Sequence, residues 1–198
     1  MICDLVGSTA LSVRLDPEDL CAVTDAYHAA CARITRTYDG FLAEFRGDAI
    51  LAYFGYPRAH EDDAERTVRA GLDIIAAVAQ LDETRAAEPL AVRIGIASGL
   101  VVVGDLSREG ALRERAVVGE TPNIAARLQA LAAPGTIIVA ASTRRLLGDL
   151  FRLRDLGRHE VKGIAEPVAA WAGLWVVRRG FRHNGCRRES PLGICPRR

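Results

Sequence analysis

The chain has 198 residues, 49% of them hydrophobic, enough for one substantial core and too few for two full-sized domains. Its net charge of +1 hides a split: seven arginines against one glutamate put +6 on residues 178–198, leaving −5 on residues 1–177. The acidic part has no basic stripe with interleaved aromatics, no apolar run reaches the ~18 residues of a membrane span, and the five cysteines lack paired spacing. Nucleic acid, membrane, disulfide-scaffold and zinc-site classes are therefore set aside, and a reduced, cytoplasmic setting is expected.

Ile2-Cys3-Asp4-Leu5 is apolar apart from Asp4 and runs into Val6-Gly7-Ser8-Thr9, which reads as a strand end followed by a tight turn. Only three residues precede Asp4, fewer than a buried strand usually has, so the strand is expected to start upstream of Met1. Asp16-Pro17-Glu18-Asp19 supplies an N-cap, a first-turn proline and acidic side chains at the positive end of the dipole. The helix it opens should run to about Thr37, with Leu20, Val23, Tyr27 and Ile34 inward, and stop at Asp39-Gly40. Phe41–Phe45 and Ala49–Phe54 read as two strands joined into a hairpin through Arg46-Gly47-Asp48, so a carboxylate sits in the turn.

From His60 to about Asp82 the apolar residues Ala64, Val68, Leu72, Ile75 and Ala79 recur at helical spacing, predicting a second long helix packed on the sheet. Val92–Val103 is β-branched and broken by Gly95 and Gly99, predicting a buried strand, a turn or bulge, and another strand. The polar stretch Asp105–Glu114 reads as an exposed arm. Val117-Val118-Gly119 is a short strand leading to Thr121-Pro122, an expected N-cap and first turn for a helix to about Ala132. Thr136–Val139, a short helix at Ser142–Leu147 and strands near Phe151–Leu156, Glu160–Lys162 and Ala169–Val177 complete an α/β domain over residues 1–177. The tail, 178–198, has no apolar period and is expected to be disordered.

Asp4 and Asp48, both at strand ends, suit a pair of magnesium or manganese ions, which prefer carboxylate and carbonyl oxygen and keep positions open for phosphate. Capping of the backbone is the alternative use of such turn aspartates. Asn123 and Arg127 stand at i and i+4 on one helix face and could hold a ribose and a phosphate, or form a plain exposed polar face. Lys162 is the only lysine in an arginine-rich chain, which suits either a point contact with phosphate or chance retention on the surface.

The order of these segments resembles the class III adenylate and guanylate cyclases of bacterial type from Asp4 to about Trp171. CDLVGST at 3–9 and FRGDAILAYFG at 45–55 are similar to that family's two metal segments. VVGETPNIAARL at 117–128 is similar to its G-x-x-x-N-x-x-x-R helix, and EVKG at 160–163 to its phosphate-lysine strand. The resemblance implies a ferredoxin-like, palm-type α/β fold, a mixed, mainly antiparallel sheet with helices packed on it. It implies two Mg2+ or Mn2+ ions on Asp4, Asp48 and the Leu5 carbonyl, with the amides of Val6, Gly7, Ser8 and Thr9 cradling a triphosphate. From the other protomer of a homodimer, Asn123 would orient the ribose, Arg127 stabilise the transition state and Lys162 bind the terminal phosphates.

The implied reaction closes ATP or GTP to its 3′,5′-cyclic monophosphate and releases pyrophosphate. The resemblance implies that base choice lies with Glu44, four residues before Asp48, and Ala116, three before Gly119. A carboxylate at 44 accepts from guanine and faces the bare N1 of adenine, an unmade bond costing about 1–3 kcal/mol, while alanine at 116 reads neither base. The adenylate cyclase label is kept with GTP open as substrate. The alternative is a cyclase-homology module that binds nucleotide or pairs with an active partner without catalysis. Arg46-Gly47-Asp48 also spells an adhesion tripeptide, set aside because no secretion signal or disulfide pattern accompanies it, and no GGDEF-like segment supports a diguanylate cyclase.

Overall fold

The computed structural model describes residues 1–81, 89–106, 114–159 and 167–176. The expected domain boundary at 177, the basic tail and the strand at Glu160–Lys162 lie outside them. Chain order is β1 (Ile2–Leu5), α1 (Ser8–Arg14), α2 (Pro17–Thr37), β2 (Phe41–Arg46), β3 (Ala49–Tyr53), α3 (Asp63–Val78), β4 (Val92–Ile96), β5 (Val102–Leu106), β6 (Glu114–Val118), α4 (Glu120–Leu131), β7 (Thr136–Ala140), α5 (Ala141–Leu147), β8 (Phe151–His159) and β9 (Val168–Val176). Among the described residues seven strands form one sheet in the order β2-β3-β1-β4-β7-β9-β8, antiparallel except for the parallel pair β4–β7, and β5 pairs with β6 in a separate ribbon. This is the mixed, mainly antiparallel α/β architecture expected.

Strand alternation explains which way β1 faces. Met1, Cys3 and Leu5 are buried with Tyr27 and Ile34 of α2 and Val68 and Ile74 of α3, so Asp4, one residue out of phase, turns to the opposite face of the sheet. A one-residue slip would bury Asp4 in that core and expose Leu5, which is why the register is firmly held. Tyr27, fully buried, anchors α2 beneath β1 by donating from its hydroxyl to the Cys3 carbonyl at 3.4 Å.

The second face carries a smaller cluster: Leu128 and Ala132 against Ile138, Ala140 and Ala170. Here α4 packs on β4, β7 and β1, so the two faces are covered unequally. Among the described residues no helix is long and apolar enough to cross a membrane.

Asp16 caps α2 as expected, accepting from the Asp19 amide at 2.9 Å, and Asp39 turns to φ 57° where the helix ends. Three expectations change. Ser8 and Thr9, expected in a tight turn, open a short helix, Ser8–Arg14, in which only Leu11 is buried. The expected cap Thr121 lies inside α4, which starts at Glu120; its hydroxyl donates instead to the Leu100 carbonyl at 3.4 Å. The second long helix is shorter than expected and buries Val68, Ala70, Ile74 and Val78, while Leu72 and Ile75 are half-buried and Ala79 is exposed. Its inward face is therefore offset from the spacing read in the sequence. Residues 107–113 of the expected arm lie outside the described residues, and its flanks are β5 and β6.

Candidate active site

Asp4 and Asp48 meet because β1 and β3 are neighbours. In the antiparallel ladder Asp4 is opposite Ala49, and Asp48 is the residue just before Ala49, in the two-residue turn that joins β2 to β3. Gly47 takes φ 63° in that turn, a backbone that glycine adopts without a Cβ penalty. The main chain ties the two segments together again: the Leu5 amide donates to the Asp48 carbonyl at 3.4 Å.

Electrostatics agrees with this proximity. Burial, first, and the negative charge of Asp48, second, push the Asp4 carboxyl above the usual range, while a hydrogen bond from Gln129 and the charge of Arg93 pull it down. The negative charge of Asp48 bearing on Asp4 is a repulsion that a divalent cation would relieve. With the Leu5 carbonyl they form a hard, all-oxygen donor set that fits Mg2+ or Mn2+, ions that keep several positions for water and phosphate. Among the described residues no group of three His, Cys, Asp or Glu side chains could enclose a metal.

The turn after β1 is narrower as a phosphate cradle than the sequence implied. The Val6 amide already donates to the Ala91 carbonyl at 2.8 Å, which takes it out of the set. Gly7, with φ 73°, precedes the first turn of α1, where Ser8 and Thr9 carry amides that have no acceptor within the helix. The Ser8 side chain has its own task, donating from Oγ to Oδ2 of Asp48. That contact crosses 40 residues and locks the turn after β1 to the hairpin turn.

Glu44 lies on β2 just past a register irregularity between Leu42 and Glu44, exposed, with Oε2 2.8 Å from Nε of Arg46. Ala116 lies on β6 opposite Gly104, away from the main sheet. Asn123 and Arg127 are exposed on α4, whereas Ala125 and Leu128 on the same helix are buried. The structure thus brings Asp4, Asp48 and Ser8 together and turns Asn123 and Arg127 outward. Lys162 lies outside the described residues.

Two residues beside Asp4 escaped the reading of the sequence. Gln129 donates from Nε2 to Oδ2 of Asp4 at 2.9 Å across 125 residues, and Arg93 is opposite Asp4 in the β1–β4 ladder. Only the register of a strand 89 residues further on could have revealed Arg93, and only the docking of α4 could have revealed Gln129. A cavity of about 340 Å³ lies elsewhere, between Tyr53–Tyr56 and Ile96–Val101, and none of the expected site residues lines it.

Residues 1–172 match the family described as the adenylate and guanylate cyclase catalytic domain. A relative in Rhizobium meliloti (strain 1021), an uncharacterized protein, is 36% identical over 171 residues; the match covers 86% of this chain and 16% of the relative, so the chain spans a small part of that protein's length. The crystal structure of the adenylyl cyclase CyaB from P. aeruginosa superposes with a TM-score of 0.83 at 28% identity, covering 91% of this chain and 94% of that one. The guanylyl cyclase Cya2 gives a TM-score of 0.81 at 30% identity, with 90% and 91% covered. One architecture thus serves an adenylyl and a guanylyl cyclase, and the base is not chosen at the level of the fold.

Proposed function

The chain belongs to the adenylate and guanylate cyclase catalytic domain family, and from that premise we propose that it converts ATP or GTP to the 3′,5′-cyclic monophosphate and pyrophosphate, as a cytoplasmic homodimer in intracellular signalling. The observation that carries this reading is the meeting of Asp4 and Asp48 at the end of a strand and in a hairpin turn, close enough for one charge to bear on the other. In the reaction the ribose 3′-oxygen forms a bond to the α-phosphorus, the bond from that phosphorus to the oxygen bridging to the β-phosphate breaks, and the hydroxyl proton passes to solvent.

Asp4, Asp48 and the Leu5 carbonyl hold two Mg2+ or Mn2+ ions, which when bound supply positive charge against the phosphates and lower the pKa of the 3′-hydroxyl. The amides of Gly7, Ser8 and Thr9 receive phosphate oxygens. Asn123 and Arg127 reach the nucleotide held by the other protomer, the first to orient the ribose and the second to offset charge at the reacting phosphorus; Lys162 binds the terminal phosphates there. Their exposure on α4 supports this division, since the side chain by which that helix meets Asp4 of its own chain is Gln129. Leu100 and Val102, 97% and 69% exposed, leave apolar surface next to β5 that a second protomer would cover.

The test is turnover of ATP and GTP side by side with Mn2+, at a concentration where mass measurement in solution shows a dimer, with cyclic product read by mass spectrometry. Cyclic product from either nucleotide is expected. Its absence from a confirmed dimer would instead identify a nucleotide-binding module without catalysis.

A second measurement reads the base. Glu44 accepts from guanine and has nothing to accept from adenine N1, a difference of about 1–3 kcal/mol. Glu44→Lys is therefore expected to lower kcat/KM for GTP relative to ATP by about tenfold or more. An unchanged ratio would remove Glu44 from base selection.

A further inference from the structure

The inner side of α4 carries a polar side chain that the proposed chemistry does not use. Gln129 is half-buried, and its Nε2 donates to Oδ2 of Asp4 at 2.9 Å. The helix lies close enough for this because β4 has glycine at the crossing point. A Cβ on Gly95 would stand 2.0 Å from the Ala125 carbonyl oxygen and 2.4 Å from the Gln129 amide nitrogen, so α4 rests directly on the β4 backbone. Two residues before Gly95, Arg93 is the ladder partner of Asp4, and its Nε is buried with no hydrogen-bond partner among the described residues.

We infer that Gln129, backed by Arg93, is a positioning residue for Asp4, and that α4 therefore sets the cation site of its own chain with its inner side while its outer side presents Asn123 and Arg127. The inference rests on the reading of Asp4 as a cation ligand. A carboxylate on a strand has two soft torsions and two equivalent oxygens. The Gln129 donor fixes one oxygen and with it the plane of the group, leaving Oδ1 with both lone pairs for a cation. Outer partners of this kind orient a ligand before the metal arrives, and losing one typically lowers metal affinity about 10–100-fold. The arrangement also ties the two half-sites together mechanically, because a shift of α4 that moves Asn123 and Arg127 must also move the donor on Asp4.

The experiment is Mn2+ binding to the purified protein, followed by loss of the free-ion signal in electron paramagnetic resonance, with no nucleotide present. Gln129→Met keeps the volume without the donor, and Gln129→Ala keeps the helix propensity. Both are expected to weaken Mn2+ binding about 10–100-fold, while Gln129→Met retains the melting temperature of the unaltered protein without metal. Mn2+ affinity in Gln129→Met equal to that of the unaltered protein overturns the inference. Failure of the unaltered protein to bind Mn2+, or binding undiminished in Asp4→Ala, overturns the cation reading beneath it, and the two failures are told apart by that comparison.

Discussion

Asp48→Ala is expected to lower cyclic-nucleotide formation by at least ~100-fold, the scale on which removal of one preorganised charge-stabilising group acts. Alanine is compatible with the turn, because the left-handed position belongs to Gly47 and not to residue 48. The fold should therefore survive. Among the described residues one side-chain hydrogen bond is lost, the one from Ser8 Oγ, and the repulsion between the two carboxylates disappears with it. Stability without metal should accordingly be unchanged or slightly higher, while the rise in melting temperature on adding Mn2+ should vanish. Asp48→Asn makes the test stricter, since it keeps the shape of the side chain and removes only the charge. Turnover at the unaltered rate in either variant would take Asp48 out of the cation site.

Gly95→Ala should be nearly as damaging, although Gly95 touches no substrate in the proposed reaction. The added methyl would meet backbone atoms, 2.0 Å from the Ala125 oxygen, 2.4 Å from the Gln129 nitrogen and 3.0 Å from the Gln129 Cα. A flexible side chain could turn aside; a helix backbone cannot. Relief requires α4 to withdraw from β4 by roughly 1 Å, and a misplacement of about that size can cost about 100-fold in rate. Overpacking of this kind also costs about 1–3 kcal/mol of stability. The expected result is a folded protein with a lowered melting temperature and turnover reduced about 100-fold. Normal turnover in a well-folded Gly95→Ala would show that the seat of α4 does not govern the site.

These two positions mark what a sequence can and cannot disclose. Asp48 was legible because a hairpin announces itself locally: two β-rich runs, a glycine and an aspartate between them. The Asp16-Pro17 start of α2 was legible for the same reason, and the structure supplies the Asp19 amide that the cap requires. Gly95 was visible only as an apparent interruption of Val92–Val103. Its role depends on which backbone crosses it, Ala125 to Gln129, and nothing within several residues of Gly95 encodes that. Thr121 failed as a cap because a carbonyl from the chain near β5, that of Leu100, took its hydroxyl. Helix α1 has a single buried residue, Leu11, in seven, too little for an apolar period to form. The inward face of α3 was displaced because Ala70 and Gly71, small residues with little weight in a hydrophobic pattern, are buried, Gly71 against Ile94 and Ile137 of the sheet.

The hydrogen bond from Gln129 to Asp4 spans 125 residues, and that span sets a schedule. On a ribosome adding about 5–20 residues per second, Asp4 waits on the order of ten seconds before its partner is made. Until then β1 can pair with β3 and take up its hairpin neighbour, but the carboxylate is unsteadied and the helix bearing Asn123 and Arg127 does not yet exist. Contacts that distant in sequence form late. A nascent chain therefore carries the acidic pair long before α4 can brace it, and the pair and its brace come together only after the first 129 residues have been made.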